Sequence, residues 1–164
     1  MIDVEKVTPL VTPLADALRA KGWRLAAAES CTGGMIAAAC TTLAGSSDWF
    51  ERGFVTYSNA AKCEQLGVDA AVIAAHGAVS REVACAMAAG ALSHSPADVA
   101  VAVTGIAGPG GGVPGKPVGT VWLALARRGG APLAERLALS GDRSSVRAQT
   151  VVIALQRLQA LCDS

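Results

Sequence analysis

The chain opens on a helical period. Val4, Val7, Leu10, Val11, Leu14 and Leu18 recur at the spacing of one helix face, and Gly22 stops that helix. Pro9 and Pro13 fall inside it, and an interior proline removes a backbone hydrogen bond. The expectation is therefore a helix that starts at Thr8 or kinks. Arg24–Glu29 is a short apolar run and reads as a buried strand. The turn Ser30-Cys31-Thr32-Gly33-Gly34 leads into a helix over Met35–Leu43, which Ala44-Gly45-Ser46-Ser47 ends. Phe50–Tyr57 carries the Phe, Val, Thr and Tyr that suit a strand.

Ser58-Asn59 caps a short helix near Ala60–Leu66, and Asp69 caps another that ends at His76-Gly77. Ser80 caps a longer helix to about Ser93. Asp98–Thr104 is a continuous apolar strand, followed by a glycine-rich loop over Gly105–Gly115. Val118–Ala126 and Leu133–Leu139 are strands joined by Arg127-Arg128-Gly129-Gly130, a separator that suits an antiparallel hairpin. Asp142 caps the last helix. Strands alternate with helices early and pair as a hairpin late. The pattern predicts an α/β fold: a three-layer α/β/α sandwich on a mixed, mostly parallel sheet of about five strands. No linker divides residues 1–164, which read as one domain, and no internal repeat is present.

Composition narrows the function classes. Hydrophobic residues are 52% and charged residues 16%, which opposes disorder. Lys+Arg 14 against Asp+Glu 13 leaves a net charge of +1, with no basic surplus for nucleic acid. Aromatics at 4% make a poor stacking platform for bases. A mean hydropathy of +0.42 raises the membrane question. Val83–Ala97 contains His94 and Pro96 and is too short to span, and Val99–Gly115 ends in Gly and Pro. The acidic N-terminus is unlike a signal peptide. Five unpaired-looking cysteines fit a reducing compartment, so the expected location is cytoplasmic. No CxxC is present and His76 and His94 are isolated, so no metal site is expected. Small residues (alanine is roughly a fifth of the chain) suit close packing and self-association into a homo-oligomer.

Three segments carry candidate chemistry. In Glu29–Gly34 a strand end meets a helix N-terminus, where free N–H groups favour a phosphate or an oxyanion. Ser30 and Cys31 are both nucleophile candidates there, beside a reading as a capping turn with a buried thiol. In Tyr57–Lys62, Tyr57 ends a strand and Lys62 follows in the next helix. A serine needs a base, and a lysine serves only with a lowered pKa. No histidine suits a Ser-His-Asp arrangement, so a Ser–Lys pair is the economical proposal for hydrolysis. The third segment, Thr104–Gly112, lacks the G-K-[ST] ending of a P-loop. Its backbone N–H groups suit a phosphate or ribose, unless it is a plain flexible connection. Ser46-Ser47-Asp48 and Gly141-Asp142-Arg143 with Arg147 are lesser candidates, Arg143 as a fork for phosphate oxygens.

The strings AESCTGG (Ala28–Gly34), AGSSDWFERGFVTYSNAAK (Ala44–Lys62), HGAVS (His76–Ser80), VTGIAGPGGG (Val103–Gly112), KPVGTVW (Lys116–Trp122) and GDR (Gly141–Arg143) resemble the CinA C-terminal domain family, in its order and over nearly the whole chain. The resemblance implies a nicotinamide-nucleotide amidohydrolase of the PncC type, which hydrolyses nicotinamide mononucleotide to nicotinate mononucleotide and ammonia in pyridine nucleotide salvage. It also implies the three-layer fold. The N-terminal molybdopterin-binding-like domain of full-length CinA is not expected here. Gly110 stands where the family often has an acid.

On this reading Ser30 is the nucleophile, Lys62 the base, and Tyr57 orients Lys62 or assists proton transfer. N–H groups around Thr32, Gly33 and Gly34 hold the oxyanion. Ser47 and Thr104 are substrate or oxyanion contacts, Ser47 being the second choice of nucleophile and Cys31 the thiol rival. Gly105, Gly108 and Gly111 of the glycine loop and Arg143 hold the phosphate and ribose. The partner is a small nucleotide substrate, with no cofactor, metal, nucleic acid or membrane. The alternative is a non-catalytic nucleotide-binding or competence/damage-associated regulatory module.

Overall fold

The computed structural model describes residues 2–164. Its elements are α1 (Val4–Lys21), β1 (Leu25–Glu29), α2 (Met35–Cys40), a 3-10 turn (Ser46–Asp48), β2 (Phe50–Val55), α3 (Asn59–Leu66), α4 (Ala70–His76), α5 (Arg81–Ser93), β3 (Val99–Gly105), β4 (Thr120–Arg127), β5 (Leu133–Ala138) and α6 (Arg143–Asp163). The five strands form one sheet in the order β2-β1-β3-β4-β5. β1 pairs parallel with β2 and β3, and β4 pairs antiparallel with β3 and β5. Four strands thus run one way and β4 the other, although parallel and antiparallel pairings are equal in number. Among the described residues no helix is long and apolar enough to cross a membrane.

Two hydrophobic clusters flank the sheet. One joins Val7, Val11, Leu14 and Leu18 of α1, Ile36 of α2 and Leu155 and Leu158 of α6 to Val99, Val101, Val121 and Leu123. The other joins Leu66 of α3, Ile73 of α4 and Val83, Met87 and Ala91 of α5 to an alanine surface. That surface follows from register. Ala26, Ala100 and Ala126 lie side by side across β1, β3 and β4, as do Ala28, Ala102 and Ala124. Small side chains let α5 sit close to the sheet, and dispersion attraction rewards such contact. Gly90 extends the logic, since a Cβ there would fall 2.1 Å from Leu66 O.

The elements differ from the sequence expectations at identifiable points. α1 starts at Val4 and runs through both prolines. Pro9 and Pro13 are one turn apart on the exposed face, so the carbonyls they leave unpaired meet water. Val4 is 52% exposed and does not join the buried stripe. α2 ends at Cys40, because the Thr41 and Thr42 hydroxyls donate to the Ala37 and Ala39 carbonyls and close a turn. β2 ends at Val55, leaving Thr56 and Tyr57 beyond the sheet.

Candidate active site

The end of β1 is held from both sides. Ser30 N–H donates to Val103 O of β3 (3.1 Å), and Thr56 N–H donates to Glu29 O (2.9 Å). The chain then turns sharply, with Gly33 N–H donating to Ser30 O at 3.0 Å. Gly33 and Gly34 adopt φ +58° and +100°, the left-handed region that disfavours side chains. The cap position of α2 is Gly34, which supplies no side-chain acceptor. Glu29 substitutes for it. One carboxylate oxygen accepts from Thr32 Oγ1 and Ile36 N–H, both at 2.7 Å, and the other from Ala37 N–H at 3.0 Å. The fully buried carboxylate is thereby hydrogen-bonded and set against the positive end of α2.

Lys62 comes from the first half of α3, where Ser58 caps the helix by accepting from Ala61 N–H. Its Nζ lies 3.1 Å from Ser30 Oγ and 3.0 Å from Thr56 O. The lysine is 2% exposed, and burial lowers its pKa from the usual lysine value. A neutral amine suits these partners: it donates one N–H to Thr56 O and offers its lone pair to the Ser30 hydroxyl. The pair can therefore generate an alkoxide-like nucleophile without a histidine. At the turn, the N–H groups of Cys31, Thr32 and Gly34 make no hydrogen bond among the described residues. They are donors within the segment that carries Ser30.

A second cluster lies beside the first. Arg143, the first residue of α6, donates to Tyr57 Oη (2.7 Å) and to Gly108 O (2.9 Å). Arg147, one turn further, donates to Cys31 O (3.1 Å) and Thr32 O (3.2 Å). α6 thus fixes both the Ser30 turn and the glycine loop. Arg143 still has free donors for an anion. Tyr57 is 61% exposed, and its hydroxyl is bound by Arg143 rather than by Lys62.

Other expected contacts are placed differently. Ser47 precedes β2, and its neighbour Phe50 pairs with Leu25 at the start of β1. Ser30 follows the far end of β1, so the length of a strand separates the two serines within one chain. Ser47 is therefore removed as a nucleophile and as a ligand contact of the same subunit. Cys31 is 5% exposed, and burial pushes its thiol up to about 11, opposite to what a thiolate nucleophile needs. Thr104 is buried, and its hydroxyl donates to Ala78 O at 2.9 Å. Gly105 and Gly108 answer to packing: a Cβ on either would meet Val121 Cγ2 at 2.6 Å or Val118 Cγ1 at 2.5 Å. Gly111 is exposed on the loop with φ +91°.

Glu29 is the residue to which sequence reasoning gave no role. Its signal was present: a carboxylate ends the all-apolar run Leu25–Ala28, just before a helix that lacks its own capping side chain.

The model of the CinA C-terminal domain family matches residues 7–162. Over 152 residues the chain is 53% identical to the nicotinamide-nucleotide amidohydrolase PncC of Enterobacter agglomerans, covering 93% of each protein. It is 52% identical over 158 residues to that of Pseudomonas putida, covering 96% of this chain and 98% of the relative. Among solved structures, the competence/damage inducible protein CihA of Agrobacterium tumefaciens superposes with a TM-score of 0.92 at 47% identity, covering 94% of each chain.

Proposed function

The chain belongs to the CinA C-terminal domain family, and on that premise we propose that it is a nicotinamide-nucleotide amidohydrolase working through Ser30 and Lys62. The observation that carries the residue assignment is the 3.1 Å approach of buried Lys62 Nζ to Ser30 Oγ. The substrate is nicotinamide mononucleotide, and the products are nicotinate mononucleotide and ammonia.

Ser30 Oγ attacks the carboxamide carbon while its proton passes to neutral Lys62. The carbonyl oxygen becomes an oxyanion, which the free N–H groups of the Ser30–Gly34 turn stabilise. The intermediate collapses as Lys62 returns the proton to the departing nitrogen, releasing ammonia and leaving an ester on Ser30. Water then gives its proton to Lys62 and attacks the ester. Lys62 passes that proton to the departing Ser30 oxygen, and the carboxylic acid product leaves, releasing its own proton to solvent as the carboxylate. Thr56 O holds Lys62 throughout. Arg143 supplies its remaining donors to the nucleotide phosphate, with Tyr57 and the Gly108 carbonyl fixing the guanidinium.

Ammonia release from nicotinamide mononucleotide by the purified chain tests the reading. Turnover that is lost in folded Ser30→Ala and Lys62→Gln supports it, and wild-type turnover in either overturns the dyad. Five free cysteines support a reducing compartment, the cytoplasm. Exposed Val55 and Leu133 lie on β2 and β5, the two edge strands, and support self-association. Light scattering that shows only monomer would remove it.

A further inference from the structure

A cavity of about 330 Å³ opens where α4 ends, α5 begins and β4 meets β5. Its walls carry Arg81, Lys116 and Arg136, with His76, Glu82 and Trp122. Three permanent cations thus face a single carboxylate, and Glu82 Oε2 lies 3.6 Å from His76 Nδ1. Lys116 Nζ donates to His76 O (2.8 Å), and Arg136 donates to Gly115 O (2.6 Å). Both contacts fix the side chains without neutralising them. The Arg81 side chain makes no hydrogen bond or ion pair among the described residues. Like charges gathered at one cavity repel, and a bound anion offsets that repulsion.

The backbone adds donors. Ser80 caps the 13-residue α5, accepting from Val83 N–H. The N–H groups of Arg81 and Glu82 are left without partners at the positive end of this helix, at the cavity wall. Trp122 is part-buried and presents an aromatic surface next to the cations. β4 and β5 lie two and three strands from β1, about 10 and 14 Å along the sheet. The His76–Ser80 segment, held to β3 through Thr104 Oγ1 and Ala78 O, stands at the edge of the cavity.

We propose that this cavity is a second ligand site, separate from the Ser30–Lys62 pair, that takes a phosphate-bearing anion. Its guanidinium forks and free helix N–H groups match phosphate oxygens. Two sources share that chemistry: free inorganic phosphate, and a nucleotide whose base lies against Trp122. The site does not depend on amide hydrolysis.

Calorimetric titration of the full chain with inorganic phosphate and with adenosine monophosphate tests this, since neither probe carries a carboxamide. Saturable binding is expected, weakened about tenfold or more in Arg81→Gln and in Arg136→Gln. Equal affinity for the two probes assigns free phosphate. Tighter binding of the nucleotide, with the difference erased in Trp122→Leu, assigns a nucleotide. No saturable binding of either probe, or affinity unchanged in both arginine variants, overturns the proposal. Both arginines are exposed, so these variants test binding in a folded chain.

Discussion

Lys62 Nζ lies 3.1 Å from Ser30 Oγ, and the lysine that reaches it is 2% exposed. Proximity and burial have separate consequences. Proximity lets the amine take the serine proton, and burial makes the amine neutral at a lower pH than an exposed lysine. Ser30→Ala and Lys62→Gln are each expected to lower kcat by about 10³-fold or more, because nucleophile and base act as a unit. The wild-type kcat/KM is expected to rise with pH through the lowered pKa of Lys62 and to level off below 10.5, the usual lysine value. A flat profile below pH 9 would count against Lys62 as the base.

The same burial acts on stability. Between the lowered pKa of Lys62 and 10.5 the unfolded chain binds a proton that the folded chain does not. Stability from this residue therefore rises with pH across that window, and its cost is complete below the window. Lys62→Met removes the titrating group. Its melting temperature relative to wild type is expected to climb as pH falls from 10.5 through the window, by about 3 °C or more. A difference between the two proteins that stays constant with pH would contradict a desolvated Lys62.

Glu29 acts one step behind the chemistry, as a positioning residue. It satisfies Ile36 N–H, Ala37 N–H and Thr32 Oγ1 together. Glu29→Gln replaces an acceptor oxygen by a donor nitrogen that faces other donors, and is expected to cost about 1–3 kcal/mol. Because the same turn carries Ser30 and the free N–H groups, kcat should fall while KM moves little. Glu29→Asp, which restores the charge on a shorter stem, should recover part of both. Denaturant unfolding with steady-state kinetics checks this, and an unaltered kcat in destabilised Glu29→Gln would separate the carboxylate from catalysis.

Tyr57 and Arg143 make a discriminating pair. If the Tyr57 hydroxyl served Lys62, Tyr57→Phe would shift the pH profile. Its partner is instead Arg143, at 2.7 Å. Tyr57→Phe is expected to leave the acidic limb in place and to raise KM about two- to tenfold, through a less firmly held guanidinium. Arg143→Gln should raise KM more, by about 10–100-fold, if the arginine meets the substrate phosphate. A moved pH limb in Tyr57→Phe would reinstate the tyrosine beside the base.

Periodicity and turn residues made most of the fold legible. The Arg127–Gly130 separator gave the hairpin of β4 and β5, and Ser58, Asp69, Ser80 and Asp142 cap their helices as their positions predict. The prolines of α1 misled because propensity ignores which face a residue occupies, and both face water. Ser30 and Lys62 were legible as separate candidates, but their convergence was not, because it depends on β1 and β2 being adjacent parallel strands, a pairing seen only in the fold. Ser47 could not be placed for a related reason: serines near loops look alike in sequence, and only strand direction puts this one at the opposite end of the strands from Ser30. Glu29 and Arg147 were hard to read because their partners are backbone atoms, which carry no residue signature.

Cys31 stands next to Ser30, the proposed nucleophile, in sequence and at the same helix start, which is where thiols are often activated. The environment decides otherwise. The thiol is 5% exposed, burial is the largest influence on it, and nearby Glu29 also raises its pKa, to about 11. At pH 8 about one thiol in a thousand is then ionised, and that thiolate has little access to reagent. The prediction is slow reaction with iodoacetamide and turnover preserved within a few-fold in Cys31→Ala. Cys63 and Cys85, both half-buried, should alkylate first. Mass spectrometry of the partially modified protein, with activity followed in parallel, separates the sites. Loss of activity that tracks alkylation of Cys31, in protein whose other cysteines are replaced, would move the nucleophile from Ser30 to its neighbour.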